Sequence, residues 1–184
     1  MRVIAGEFGG RRLASARARG LRPTADRVRE ALFSILGPMV ADARVLDLYA
    51  GTGALALEAL SRGARSATCV ERAPAALAAL ERNVRDLGLA DRVTIVRGDA
   101  LAYARRLAGE TDRFDLVLCD PPYADPQEPL LSAVAGGTWW TTAVVLEHAA
   151  SRSPSAPEGL LADRRRYGDT GVTIFRRASG EVPA

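Results

Sequence analysis

Arg44-Val45-Leu46-Asp47-Leu48-Tyr49-Ala50-Gly51-Thr52-Gly53 decides the fold. Its first half, Arg44–Leu48, is a short aliphatic run that predicts a buried strand. Its second half carries Gly51 and Gly53, which predict a tight turn that lets the backbone come close to a ligand. Ala54–Ser61 then predicts a helix, with Gly63 at its exit. Strand, glycine loop and helix in succession form the opening unit of an α/β domain. Taken alone, the Gly51-x-Gly53 spacing is also an ordinary turn, with Asp47 capping the next element.

The same alternation continues downstream. Strands are expected at Ser66–Val70, Val93–Val96, Phe114–Cys119 and Val144–Glu147, and helices at Ala73–Leu87 and near Ala100–Leu107. This pattern predicts a parallel sheet covered on both faces, and right-handed crossovers would gather the loops at one edge. The end differs: Leu160–Tyr167 and Val172–Arg176 predict an antiparallel hairpin turning through Asp169, Thr170 and Gly171. Upstream, Arg2–Phe8 and Arg11–Ala14 predict a short hairpin through Gly9-Gly10. Ser15–Gly20 reads as a basic loop. Thr24 is expected to cap a helix running through Ala31, Leu32 and Ile35 to Gly37-Pro38. The chain thus divides into a basic extension at 1–38 and a main domain at 39–180, with Gly180–Ala184 expected to fray.

The length of 184 residues suits one domain with a real core. Formal charge is +3, and all 25 basic residues are Arg. Arg binds phosphate in bidentate fashion and stacks on bases, so nucleic acid is a credible partner. Residues 1–30 hold eight Arg against Glu7, Asp26 and Glu30, which reads either as a solubilising arm or as a phosphate-binding arm. Cys69 and Cys119 end apolar runs and read as buried small side chains. No apolar run is long enough to span a bilayer, and charges come too early for a signal peptide, so a cytoplasmic protein is expected. No His/Cys cluster suggests a metal. The glycine loop lacks a P-loop Lys, which disfavours nucleotide triphosphate hydrolysis. It also departs from Gly-x-Gly-x-x-Gly at Ala56, which disfavours nicotinamide cofactors.

Asp47–Gly53, with Asp47, Tyr49, Gly51 and Gly53 as its contacting residues, resembles the first loop of class I S-adenosylmethionine-dependent methyltransferases. Two further acids are spaced to serve the same ligand. Glu71 follows the second strand, where it suits a pair of ribose hydroxyls. Asp99 follows the third, placed to accept from an adenine amine or to fix its loop, and Ala100 offers a backbone N–H.

Asp120-Pro121-Pro122-Tyr123, after the fourth strand, resembles the catalytic motif of methyltransferases that modify adenine N6, guanine N2 or glutamine amines. A conjugated exocyclic amine is a poor nucleophile because its lone pair is delocalised. The Asp120 carboxylate and the Pro121 carbonyl can accept its N–H groups and favour a more pyramidal nitrogen. Pro121 and Pro122 stiffen the loop, and Tyr123 can stack on a base. Such catalysis rests on orientation and electrostatics. The alternative is a rigid turn with Asp120 as a cap and Tyr123 as packing.

Arg2-Val3-Ile4-Ala5-Gly6, Gly10-Arg11-Arg12-Leu13, Arg22-Pro23-Thr24 and Arg27–Phe33 look like the N-terminal signatures of the bacterial small-subunit ribosomal RNA guanine-N2 methyltransferase family. With Asp47–Gly53, Glu71, Asp99 and Asp120–Tyr123, the resemblance covers nearly the whole chain. It implies a Rossmann-like, seven-stranded, mostly parallel sheet with an antiparallel C-terminal hairpin and a small N-terminal extension. It implies S-adenosylmethionine as cofactor and N2-methylguanine in 16S ribosomal RNA as product. The expected substrate is the 30S subunit or a late assembly intermediate, met by a monomer without metal or membrane. On this resemblance Arg11, Arg12, Arg22, Thr24, Arg27 and Arg29 are candidate RNA contacts, as is His148 of a Glu-His pair. Arg29 reads equally as a helix-surface ion pair with Asp26 or Glu30, and His148 as a loop hydrogen bond or edge packing. Trp139 and Trp140 read as a base platform or as core. Arg164, Arg165 and Arg166 either extend the RNA face or solvate the last hairpin. N6-adenine methylation, protein-glutamine methylation and a non-catalytic RNA scaffold are the competing functions.

Overall fold

The structure, a computed structural model, describes residues 1–15, 23–111 and 113–178. All of the basic loop expected at Ser15–Gly20 except Ser15, together with Arg22, the side chain of Thr24 and the terminal residues 180–184, lies outside the described residues.

The chain forms α1 (Pro23–Leu36), a short 3-10 helix (Gly37–Val40), β1 (Arg44–Asp47), α2 (Ala54–Ser61), β2 (Ser66–Glu71), α3 (Pro74–Asp86) and β3 (Val93–Arg97). It continues through α4 (Ala100–Arg106), β4 (Phe114–Cys119), α5 (Glu128–Ala135), β5 (Trp140–Ala149), β6 (Leu160–Tyr167) and β7 (Thr170–Arg177). All seven strands join one sheet in the order β3-β2-β1-β4-β5-β7-β6. The pairings from β3 to β5 are parallel, and β7 runs antiparallel to both neighbours. The expected Rossmann-like architecture is the one found.

Successive residues of the central strands feed opposite faces, as the two-residue repeat of a strand requires. Val45, Leu116 and Leu118 pack with Leu32, Phe33, Leu57 and Leu60 on the face of α1 and α2. Leu46, Val117 and Cys119 pack with Leu130, Trp140 and Phe175 on the face of α4 and α5. Trp139 and Trp140 are fully buried, with Trp139 edge-on to Phe114 and the Trp140 indole N–H donating to the Val134 carbonyl at 2.8 Å. They are core and form no base platform. Cys69 and Cys119 are buried free thiols. Among the described residues no helix is long and apolar enough to cross a membrane.

Three expectations are corrected. Arg2–Phe8 and Arg11–Ala14 do not form a two-stranded ladder; a single antiparallel bridge joins Arg2 to Arg12. Val3 and Leu13 still donate across the pair, to the Arg11 and Met1 carbonyls at 3.0 and 3.1 Å, and Gly10 to the Val3 carbonyl at 2.9 Å, but the next amides along the first segment bind α2. Ile4 and Ala5 donate to the Glu58 carboxylate at 2.6 and 3.1 Å, Phe8 to Ser61 Oγ at 2.9 Å, and Glu7 to the Ser61 carbonyl at 2.8 Å. Gly6 lies so close that a Cβ there would sit 1.9 Å from the Ser61 carbonyl oxygen, at a φ of +83°, so only glycine fits. The final turn is shorter than expected. Tyr167 pairs with Thr170, leaving Gly168-Asp169 as a two-residue connection with Gly168 at φ +64°, the length favoured by the strand twist. Finally, α1 starts at Pro23, ahead of Thr24. Proline suits a first helical position because the N–H it lacks would be unpaired there.

α1 presents Val28, Leu32, Phe33 and Leu36 to the sheet at helical spacing, and each such large apolar side chain contributes roughly 1.5–3 kcal/mol on burial. Beneath it lies a polar knot. Glu58 is 0% exposed and takes, besides the two amides, Arg62 Nε at 2.7 Å and Arg29 Nε at 3.7 Å. Arg29 in turn donates to the Arg2 carbonyl at 2.6 Å and to Asp26 at 3.0 Å. Removing one member of such a buried set strands the others. Glu58→Ala is therefore expected to lower stability by about 3–5 kcal/mol, measured as a fall in the urea midpoint; a loss below about 1 kcal/mol would show that the knot is not what holds the N-terminal segment.

Candidate functional site

In a parallel sheet, the strand order reverses where two crossovers leave neighbouring strands on opposite sides, and a crevice opens beyond the strand C-termini. Here that point lies between β1 and β4, which pair in parallel from Val45↔Leu116 to Asp47↔Leu118. A cavity of about 620 Å³ occupies it. Leu48, Tyr49 and Gly51 line it from the loop after β1, and Val70 and Glu71 from the end of β2. Asp99 and Ala100 do so from the start of α4, Asp120–Tyr123 from the loop after β4, and Glu147 from the end of β5.

The first loop is held open by its own hydrogen bonds. Glu71 accepts the Gly51 amide on one oxygen at 2.8 Å, and the Arg72 and Ala73 amides on the other at 2.8 and 2.7 Å. A carboxylate has about four acceptor positions, so Glu71 keeps capacity for a ligand. Gly51 has φ +55° and nothing but the Tyr49 carbonyl within 4.0 Å of a Cβ. Gly53 serves differently: a Cβ there would meet Leu80 Cδ1 at 2.5 Å, so it makes room for α3 and does not line the cavity. Asp99 caps α4, accepting the Ala102 amide at 3.0 Å, and reaches Arg72 at 3.3 Å with its other oxygen.

Asp47 is buried beneath the loop. One of its oxygens accepts the Ala56 amide at 3.3 Å, while the other is buried without a hydrogen-bond partner. Burial pushes its pKa up to about 7, with the charges of Asp120 and Glu71 adding to the rise and the amides of Ala56 and Tyr49 opposing it. Asp120 opens onto the cavity yet is walled by protein elsewhere, and this desolvation raises its pKa. Glu147 is raised by burial first and by the charge of Asp120 second, against the pull of the Tyr123 hydroxyl and of Arg29. An orphaned buried carboxylate oxygen and several crowded acids make a site that favours a cation. The sulfonium and ammonium of S-adenosylmethionine fit that field, and Glu71 and Asp99 fit its hydroxyl and amine donors.

Tyr123 stands at the mouth, 39% exposed. Its hydroxyl donates to Glu147 Oε1 at 3.3 Å and lies 3.1 Å from Thr170 Oγ1, so the ring is fixed in place and its face is left available. Glu147 lines the cavity and holds Tyr123, and its sequence position alone did not single it out. Its signal was its place at a strand end, beside His148.

Two expected substrate contacts are corrected. Arg29 is 5% exposed and committed to Asp26, Glu58 and the Arg2 carbonyl, so its guanidinium cannot reach RNA. His148 is 3% exposed because β7 covers it. Its Nδ1 lies 2.9 Å from the Ala149 carbonyl and its Nε2 2.9 Å from Thr173 Oγ1, and the ring fills the space a Gly171 Cβ would take. Arg11 is exposed and donates to the Asp86 carbonyl at 2.9 Å; Arg12 and Arg27 are exposed. Among the described residues no group of three His, Cys, Asp or Glu is arranged to hold a metal.

A family model described as "Conserved hypothetical protein 95" matches residues 1–176. Over 184 aligned positions the chain is 32% identical to a Bacillus subtilis (strain 168) protein named "Putative rRNA methyltransferase YlbH", spanning 96% of this chain and 99% of that one. It is 42% identical over 123 residues to "Ribosomal RNA small subunit methyltransferase D" of Escherichia coli (strain K12), spanning 67% of this chain and 60% of that one. A solved structure described as "Putative methyltransferase yhhF from Escherichia coli" superposes with a TM-score of 0.83 at 31% identity, covering 97% of this chain and 98% of that one. The fold is that of class I S-adenosylmethionine-dependent methyltransferases.

The raised pKa of Asp47 has a consequence for stability. A carboxylate whose folded pKa exceeds its unfolded value holds a proton that the unfolded chain has released. Its contribution is full below about pH 4 and is lost as pH rises through about 7. Asp47→Asn keeps an acceptor for the Ala56 amide and carries no charge. The variant is expected to gain stability relative to wild type progressively from about pH 4 to about pH 7, read from urea midpoints across that range. A difference that does not change with pH would remove Asp47 as the group concerned.

Proposed function

We propose that this chain, which belongs to the family described as Conserved hypothetical protein 95, transfers a methyl group from S-adenosylmethionine to the exocyclic N2 amine of a guanine in 16S ribosomal RNA. The observation that carries this reading is the meeting of two residue sets in one cavity: Glu71, Asp99 and Gly51 on one side, and Asp120–Tyr123 with Glu147 on the other. The names of the relatives, which speak of ribosomal RNA methyltransferases, support the substrate class. The 30S subunit or a late assembly intermediate is the form of RNA that this reading expects.

When bound, S-adenosylmethionine supplies an electrophilic methyl group on a sulfonium. Glu71 holds the ribose hydroxyls, Asp99 and the Ala100 amide hold the adenine end, and Asp47 sets a negative field beneath the loop. Tyr49 and Gly51 shape the wall. On the substrate side, Tyr123 stacks on the base while Asp120 and the Pro121 carbonyl accept the two amine N–H groups. Pro122 keeps that loop extended. An amine held in this way would present its lone pair to the cofactor's methyl group, and Asp120 and Glu147 would take up the proton it releases. Within this reading residues 1–38 are the RNA-side extension and residues 39–180 the methyltransferase domain, joined through the core that α1 shares with the sheet. Exposed Arg11, Arg12 and Arg27, with Arg22 and Thr24, are its contributions to RNA binding.

The test is methyl transfer from labelled S-adenosylmethionine to undermethylated 30S subunits, with naked 16S RNA, DNA and protein alongside, followed by nucleoside analysis. N2-methylguanine is expected on 30S, reduced roughly 100-fold or more by Asp120→Ala, with binding of S-adenosylmethionine retained. Product on adenine or on protein alone would overturn the substrate assignment, and RNA binding without transfer to any substrate would favour a scaffold. Tyr123 separates stacking from hydrogen bonding. Tyr123→Phe is expected to keep most RNA affinity, whereas Tyr123→Ala should lose about 1–3 kcal/mol of it, measured as KM for the RNA. Equal losses in the two variants would show that the hydroxyl, not the ring face, is what matters.

A further inference from the structure

β4 and β5 pair in parallel up to Cys119↔Leu146. The next residue on each chain segment is an acid, Asp120 and Glu147, and both line the same cavity. Glu147 is half-buried, and only one of its oxygens is taken. The Tyr123 hydroxyl donates to Oε1 at 3.3 Å, while among the described residues nothing donates to Oε2. The rest of this wall offers acceptors and no free side-chain donor. Pro121 and Pro122 have no N–H, an ionised Asp120 only accepts, and the Tyr123 hydroxyl proton is directed at Glu147.

The atom beside an exocyclic amine differs among the groups that carry one. In guanine the N2 amine stands next to N1–H, a donor. In adenine the amine stands next to a bare N1 and in cytosine next to a bare N3, both acceptors. The glutamine side chain sets a carbonyl oxygen there. An amine held by Asp120 and the Pro121 carbonyl brings this neighbouring atom toward the acid one strand over. Guanine would meet Glu147 with an N–H. The other three would meet it with a lone pair, leaving two acceptors face to face with no proton between them. Burial, and then the charge of Asp120, raise the pKa of Glu147 to about 7; an N–H on its second oxygen favours the ionised form against that rise.

Resting on the reading of the reaction as guanine-N2 methylation, we propose that Glu147 is the residue that selects guanine, its Oε2 accepting the N1–H while Asp120 and the Pro121 carbonyl hold the N2 amine. The same carboxylate then serves two partners. Oε1 fixes the ring on which the base stacks, and Oε2 reads the edge of that base.

The test first locates the guanine that wild type methylates, then replaces it with 2,6-diaminopurine in 16S RNA reconstituted into 30S subunits. This base keeps the 2-amine but carries a bare N1. Methylation of the 2-amine is compared on the two substrates as kcat/KM, on the alkaline side of about pH 7 so that Glu147 is ionised. Wild type, Glu147→Gln and Tyr123→Phe are assayed, with binding of S-adenosylmethionine as a check on folding. Wild type should prefer guanine by roughly 100-fold or more. Glu147→Gln, whose amide can serve either base, should narrow the preference to within about 10-fold. Tyr123→Phe should retain the wild-type preference, which separates reading of the base from support of the ring. Equal kcat/KM of wild type on the two substrates overturns the assignment without recourse to any variant. A preference that Glu147→Gln leaves unchanged, both substrates falling together as in a structural lesion, overturns it as well. So does a preference lost equally in Tyr123→Phe, which would place the selection in the ring. Each of these results leaves N2-methylguanine as the product and fails Glu147 alone, whereas product on adenine or protein only fails the underlying reading and the proposal with it.

Discussion

Everything in this molecule depends on the parallel pairing of β1 with β4. These strands are sequence-distant, and the crossovers that leave them cover opposite faces: α2 and α3 pack on one side, α4 and α5 on the other. A loop leaving β1 and a loop leaving β4 must therefore diverge, and the gap between them is a cavity by construction. The register carries Asp47 to the end of β1 and Asp120 just past the end of β4. Two acids from unrelated segments thus act on one volume, and the field that results is a property of topology before it is a property of any loop.

The molecule handles buried acids in two ways. Glu58 is fully enclosed, accepts two amides and the Arg62 guanidinium, and has the Arg29 guanidinium 3.7 Å away. It fixes the N-terminal segment against α2 and leaves no capacity for a ligand. Asp47 is enclosed as deeply but keeps an oxygen without a partner, and burial followed by the charge of Asp120 raises the proton affinity of both Asp47 and Glu147. An unmatched buried carboxylate destabilises the fold by itself. The arrangement becomes favourable when a cation enters, so the destabilisation lies where a ligand can relieve it.

How far the sequence could be read follows from where each signal resides. α2 at Ala54–Ser61 and β4 at Phe114–Cys119 have the expected boundaries because glycines or charged residues bracket clear apolar runs. β5 was expected only at Val144–Glu147, since Thr141 and Thr142 interrupt its apolar pattern, yet it extends from Trp140 to Ala149 through pairing with β4 and β7. α5 was not expected at all: eight residues with Pro129 in the first turn carry too little periodicity. The N-terminal pairing stops after Val3 because the amides of Ile4, Ala5, Glu7 and Phe8 meet Glu58 and Ser61, whose proximity is set by tertiary packing. The cavity acids Glu71, Asp99 and Asp120 were legible from their places after strands. Glu147 was not singled out, because its partner Tyr123 is brought to it only by the sheet.

Arginine shows the same division more sharply. The sequence contains one kind of cation, and nothing local separates Arg29 from Arg27 or Arg165 from Arg166. Their neighbours in space do. Arg29 faces Glu58 and Asp26 and acts as a buried cross-link, while Arg27, on the outer face of the same helix, is exposed. Arg165 meets Asp163 across the two-residue repeat of β6; Arg164 and Arg166, one step to either side, meet carbonyls. A carboxylate partner cancels the charge that would attract a phosphate, whereas a carbonyl partner fixes the guanidinium and leaves the charge intact. The identity of the fixed partner, more than the density of arginine, is therefore what distinguishes a neutralised scaffold cation from one that keeps its charge toward solvent.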